Sequence, residues 1–198
     1  MSYTPALNFT GSDQLTVTVN DQGHTGTGGA QTTTAAVGIT VSTDQPPVLS
    51  NVAPSAAYTE AGPAVTLSSA LAVSDIDNTT LASATVTISS GLLAGDALSV
   101  AGATSGTVNG ITWGYANGVL SFNGSSSLAN YQTLLDQVQY ASSSQNPTNF
   151  GADTSRAISW VVNDGTVNSS QASTTVTITP VDQAPVSYTH LTLPTTSR

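Results

Sequence analysis

The chain has no cysteine and no lysine, and its two cations, Arg156 and Arg198, stand against 11 Asp and Glu residues, giving a formal net charge of −9 over 198 residues. Without cysteine there are no disulfides, no thiolate catalysis and no zinc-thiolate site, which fits either a cytosolic chain or a bacterial extracellular one that does without disulfides. Without lysine there is neither Schiff-base chemistry nor a Lys-Asn isopeptide crosslink. The shortage of basic residues argues against nucleic acid or an anionic membrane as a partner, since both are held by positive surface. No apolar run approaches the roughly 18 residues a bilayer span needs, so direct membrane insertion is not expected. The opening residues, MSYTPALNFTG, lack the basic and then apolar order of a secretory signal, so any export signal is expected elsewhere in a longer parent or to be of another kind.

Thr, Ser, Val, Ala and Gly dominate what is present, and several segments alternate apolar residues with Thr or Ser. That period of two is the signature of strands with one buried face. QLTVTVN sets Leu15, Val17 and Val19 on one face, SATVTISS sets Val86 and Ile88 inward, RAISWVVN does the same with Ile158, Trp160 and Val162, and STTVTITP with Val176 and Ile178. ITWGYANGVLSF reads as a hairpin closed by Asn117-Gly118, the dipeptide that tolerates a primed two-residue turn. AVTLSSALAV, Ala64 to Val73, reads as one strand. SLANYQTLLDQV breaks the pattern: Leu128, Tyr131, Leu135 and Val138 recur at helical spacing behind Ser126 or Ser127 as a cap, which predicts a single short helix. The fold class expected is all-β, a sandwich with one short helix.

The chain repeats itself. LTVTVNDQG (Leu15 to Gly23) matches ISWVVNDGT (Ile158 to Thr166), and ITVSTDQPPV (Ile39 to Val48) matches TITPVDQAPV (Thr177 to Val186), which sets Asp44 and Asp182 138 residues apart. The organisation expected is the end of one repeat over 1–44, a complete repeat over 45–182 and a tail over 183–198. A unit of this length can bury a core of its own, whereas the 44-residue remnant is too small to do so. The tail SYTHLTLPTTSR does not resume the repeat and reads as foreign, adapter-like sequence.

Strand parity places the acids. A sandwich strand that follows the linker carries its successor back to the linker end, so Asp44, the pair Asp75 and Asp77 in VSDIDN, and Asp164 in VNDGT are all expected at one end of the complete repeat. Residues two apart on an extended chain point the same way, so Asp75 and Asp77 are expected to face one place. Glu60 in YTEAG falls at the other end with Asp182, so each unit carries half a site at each end. Carboxylates about 5 Å apart at an effective dielectric of about 20 repel by roughly 3 kcal/mol per pair, and hard divalent cations prefer such oxygen ligands. The bland alternative is a set of turn aspartates that bind their own backbones.

TEAG, VSDIDN, VNDGT and VDQAP together resemble the acidic signatures of bacterial cadherin-like repeats, immunoglobulin-like sandwiches arranged in tandem in very large secreted adhesins and biofilm proteins. The remnant YTPALNFTGSDQLTVTVNDQG resembles the same family, so the likeness covers about 1–186. The resemblance implies an immunoglobulin-like, cadherin-like sandwich in a tandem array, with calcium as cofactor and Asp75, Asp77, Asp164 and the linker acids Asp44 and Asp182 as its ligands. The departure is DQPP and DQAP where the family pattern reads NDAP, with Gln45 and Gln183 just after the acid and Thr43 and Val181 just before it. Other calcium motifs fail: Asp75 to Val86 has neither the Gly nor the Glu of an EF-hand, and GHTGTGGAQ lacks the Asp of glycine-rich nonapeptide repeats.

Three rival functions are weaker. Catalysis lacks a base with an orienting partner, since His24 sits in a glycine-rich loop and His190 in the tail, so the chain is not expected to be an enzyme. A carbohydrate-binding sandwich would use Trp113 and Tyr115, which alternate on one strand, as a stacking platform; in a chain only 6 percent aromatic, Trp113 and Trp160 are instead expected to be buried in the core. Thr-x-Thr runs could suggest an ice-binding face, but exposed strands prefer Thr in any case. The function expected is a non-catalytic, calcium-rigidified stalk module of an exported bacterial cell-surface protein. Its partners are neighbouring repeats of the same chain and, through the array, cell-surface or matrix components, with type I secretion as the route out.

Overall fold

The structure is a computed structural model that describes residues 2–6, 9–24 and 26–181. It divides into two compact units, Met1–Gln45 and Pro46–Arg198. The N-terminal unit is a hairpin of β1 (Gly11–Asn20) and β2 (Thr32–Val41), paired antiparallel from Gly11 opposite Val41 to Asn20 opposite Thr32. Its connecting loop is gathered by Asp21, whose Oδ1 accepts the N–H groups of Gly23 and Gln31 at 2.9 and 2.7 Å. Leu15, Val17 and Val19 do share a face, but Val17 and Val19 are exposed, as is Val37 on β2.

The larger unit holds β3 (Val48–Ser50), β4 (Ser55–Thr59), β5 (Val65–Thr66), β6 (Ala72–Ser74), β7 (Thr80–Ser90), β8 (Asp96–Val100), β9 (Ser105–Val108), β10 (Ile111–Ala116), β11 (Val119–Ser127), α1 (Leu128–Leu135), β12 (Val138–Ser142), β13 (Ser155–Asn163) and β14 (Ala172–Thr179). One sheet runs β4-β14-β13-β7-β11-β10-β9, and across the core lie the sheet β5-β12-β8 and the pair β3-β6. Every pairing is antiparallel except that of β14 with β4, where the unit's second strand lies parallel to its last. This is an immunoglobulin-like β-sandwich with one short helix, the fold class the sequence predicts.

The alternation read from the sequence lines the interior. Val86, Ile88, Ile158, Trp160, Val162, Val176 and Ile178 are buried, joined from the smaller sheet by Leu98, Val100, Val138 and Tyr140. Tyr58 and Tyr140 meet edge to face with ring centres 5.2 Å apart, and Tyr58 donates to the carbonyl of Ser142 at 2.9 Å. Asn117 and Gly118 close the β10-β11 turn with φ of 50° and 83°, the left-handed pair a primed turn requires. At α1 the cap is Ser127, whose Oγ accepts Asn130 N–H at 3.2 Å.

Two local expectations need correction. The helix stops at Leu135 and Val138 opens β12. The strand expected over Ala64 to Val73 is broken into β5 and β6, where polar side chains of α1 and its cap hold the backbone: Asp136 Oδ1 accepts the N–H of Leu71, between the two strands, at 2.9 Å and Gln132 Oε1 accepts that of Val73, in β6, at 3.2 Å. Periodicity along 64–73 gave no sign that a helix 60 residues later would supply those acceptors. The acid excess is also not wholly without an internal counterion, since Arg156 is buried against Asp96.

Candidate metal centre

Asp75 follows β6 and begins the turn that leads into β7, while Asp164 follows β13. Strands β7 and β13 are antiparallel neighbours with Asn163 opposite Ser83, and a Cβ placed on Gly165 would sit 3.6 Å from Ala82 Cβ. Both loops therefore adjoin the start of β7, at the same end of the sandwich.

The residues from Asp75 to Asn78 are a turn rather than a continued strand, and this changes the geometry expected of Asp75 and Asp77. Asp75 Oδ1 accepts the N–H groups of Asp77 and Asn78 at 3.2 and 3.1 Å, the local capture by which Asp closes its own turn. Asp75 is half-buried as a result, while Asp77 is exposed beside Ile76, which is 88% exposed. The NDG loop repeats the device: Asp164 Oδ1 accepts Thr166 and Val167 N–H groups at 2.7 and 2.8 Å, with Gly165 at a φ of 115° making the bend.

Each carboxylate thus spends one oxygen on its own loop. The other oxygens, Asp75 Oδ2 and Asp164 Oδ2, are out of contact with solvent and receive no hydrogen bond among the described residues. A buried carboxylate oxygen left in that state is costly, and ordered water or a bound cation is the usual remedy. The donor set fits a hard cation: two carboxylates on hydrogen-bonded turns, in a chain without cysteine. Among the described residues, no three Asp, Glu or His side chains gather closely enough to hold a metal by themselves.

Of the remaining expected ligands, Asp44 belongs to the N-terminal unit, and its Oδ2 is likewise out of contact with solvent. Glu60 is buried at the far end of the sandwich, where its Oε2 accepts Val181 N–H at 3.0 Å and its own N–H binds the Thr179 carbonyl. Asp182, its expected companion, lies outside the described residues.

The aromatic platform considered for sugar binding is absorbed by the sandwich. Tyr115 donates to the Asp96 carbonyl at 2.8 Å, and burial pushes its hydroxyl pKa up. Trp113 is half-buried rather than fully so, its indole lying over Gly106, whereas Trp160 is 1% exposed and donates to Thr174 at 3.0 Å.

No protein-family model matches the chain, and no curated protein does. Among solved structures it is similar to a protocadherin gammaB7 EC3-6 cis-dimer, with 11% identity and a TM-score of 0.31 over 85% of this chain and 33% of that one. The chain thus spans about a third of the length of that relative.

Proposed function

We propose that the larger unit is a non-catalytic, calcium-binding repeat module of an exported bacterial surface protein, built to stiffen a stalk that serves adhesion to cells or surfaces. The observation that carries this reading is the pair of buried, unmatched oxygens Asp75 Oδ2 and Asp164 Oδ2 on two turns at one end of the sandwich. A divalent cation there would take both oxygens as ligands and tie the loop after β6 to the loop after β13. It would also cancel charge that Arg156 does not reach, because that side chain is committed to the core.

The internal repeat supports a tandem role, in which neighbouring copies are the first partners and attachment to a cell-surface or matrix component is made through the array. No helix among the described residues is long and apolar enough to cross a membrane. Export by a type I route and residence at the bacterial cell surface follow from the family resemblance.

Isothermal titration of the chelator-treated chain with calcium tests the reading. Saturable binding at submillimolar to millimolar calcium, lost in Asp75→Asn and in Asp164→Asn, is the expected result, that range being typical of extracellular modules. Wild-type protein that takes up no calcium, or binding untouched by both substitutions, would leave two turn aspartates and a plain spacer.

A further inference from the structure

The loop between β12 and β13 raises Phe150 into solvent, 94% exposed. The ring is not there through slackness. Asn149 and Phe150 both sit in the left-handed region, at φ of 48° and 58°, which is unfavourable for a residue with a bulky side chain. The loop holds them there: Phe150 N–H donates to Asn146 Oδ1 at 2.8 Å, Gly151 and Asp153 N–H groups donate to the Thr148 carbonyl at 3.0 and 2.9 Å, and Asn149 Nδ2 donates to Asp153 Oδ2 at 3.0 Å. From below, the buried Arg156 guanidinium binds the carbonyls of Pro147 and Asp153 at 2.5 and 3.1 Å. An aromatic ring fixed in an exposed, strained position points to a ligand.

Beside the ring opens a cleft of about 580 Å³, lined by Glu60, Gln145, Asn146, Thr148, Phe150 and Val181 among others. Glu60 spends Oε2 on Val181 N–H, and Asn146 spends Oδ1 on Phe150 N–H, which leaves Glu60 Oε1 as an acceptor and the Asn146 amide as a donor. A flat apolar ring next to amide and carboxylate groups suits a pyranose, whose one face offers C–H groups for stacking while its rim offers hydroxyls. The charge balance selects among sugars: Glu60 lines the cleft and Arg156 is fully buried, so no exposed cation among the described residues could receive an acidic sugar. A protein partner fits poorly, since the apolar lining beyond Phe150 is Pro180 and Val181, far short of the roughly 800 Å² per partner that a stable interface covers.

We propose that this cleft binds a neutral hexose unit of a glycan, with the sugar stacked on Phe150 and its hydroxyls held by Gln145, Asn146 and Glu60. The site stands at the opposite end of β13 from Asp164, so it does not depend on the cation proposed at Asp75 and Asp164.

The test is amide-resolved NMR of the full chain titrated with cellohexaose, maltohexaose or chitohexaose, each with and without a chelator, and with oligogalacturonate as the anionic comparison. Expected are shifts centred on residues 145–151, Glu60 and Val181 with at least one neutral oligosaccharide, unchanged by chelation. Phe150→Ala should weaken binding about tenfold or more without moving the melting temperature, because the ring contributes no burial, and Phe150→Trp should retain it. No response to any neutral oligosaccharide at millimolar concentration overturns the proposal. So do shifts confined to other surfaces, a response to oligogalacturonate alone, or Phe150→Ala binding as tightly as wild type.

Discussion

Arg156 Nε donates to Asp96 Oδ2 at 2.6 Å, and neither side chain has any exposure to solvent. The guanidinium is fully matched: a second N–H reaches Asp96 Oδ1 at 3.5 Å and the remaining three bind the carbonyls of Pro147, Asp153 and Ser155. Asp96 in turn accepts Leu93 N–H at 2.8 Å and Tyr140 hydroxyl at 2.7 Å. Burial, followed by the hydrogen bond to Asp96, raises the Tyr140 pKa and keeps that hydroxyl a donor. The pair joins β8 of one sheet to β13 of the other, so it ties the two layers as well as the loop above them.

Breaking that pair from one side strands a buried charge. Asp96→Asn or Arg156→Met should each cost about 3–5 kcal/mol in denaturant unfolding, and the double variant Asp96→Asn with Arg156→Met should cost clearly less than the sum. Strict additivity would show that the two groups act separately.

Gly106 stands directly under Trp113, and a Cβ built on it would clash with the indole ring. Gly106→Ala should therefore displace the ring toward solvent, destabilise the fold by about 1–3 kcal/mol and red-shift the fluorescence of one of the two tryptophans. An unshifted spectrum with unchanged stability would show that β9 and β10 give way around the extra methyl.

Local chemistry was readable in the sequence wherever it acts over a few residues. Asn117-Gly118 carries its turn, Ser127 its cap, and the apolar residues of 158–162 and 176–178 their inward face. What depends on distant partners was not. Asp96 lies in LLAGDALSV, which reads as turn and strand, and only the fold sets it against a cation 60 residues away. The same holds for the break between β5 and β6, where Gln132 and Asp136 hold the backbone, and for Phe150, whose exposure follows from a loop pinned by Arg156. For the candidate site, parity could assign acids to an end of the sandwich, but not that Asp75 would fold back on its own turn while Asp77 faces solvent. The hairpin of the N-terminal unit adds a contrast. With Leu15 matched to Ile158, Asp13 falls at the place of Arg156, so the buried ion pair is not a constant of the repeat.

Asp136 caps the C-terminal end of α1, where the helix dipole is unfavourable to a negative charge, and burial raises its pKa more than the Leu71 N–H bond lowers it. A carboxyl whose folded pKa exceeds its unfolded value binds more protons in the folded state. Its favourable contribution is complete below the unfolded pKa near 3.8 and is lost as pH rises through the folded pKa. Asp136→Asn keeps the acceptor for Leu71 and removes the charge, so it should stabilise the protein by about 0.3–1 kcal/mol at pH 7, with the gain vanishing below pH 4. A variant less stable than wild type at pH 7, or a gain that grows in acid, would show that the ionised form is the one the fold prefers.

Stability, as well as binding, distinguishes the cation-free and cation-bound states of the candidate metal centre. Without a cation, Asp75 Oδ2 and Asp164 Oδ2 are buried oxygens that receive no hydrogen bond among the described residues, a cost that a neutral side chain would reduce. With a dissociation constant of about 0.1–1 mM, about 1 mM calcium should stabilise the folded chain by roughly 0.4–1.4 kcal/mol, a rise in melting temperature of about 1–6 °C for a unit of this size. Asp164→Asn keeps the Oδ1 acceptor of its turn and removes the charge. It should therefore melt at or above the wild-type temperature in chelator and fail to rise with calcium, so that the order of the two proteins reverses between the two buffers. If Asp164→Asn melts below wild type in both, the carboxylate supports the turn by itself and no cation is needed to explain it.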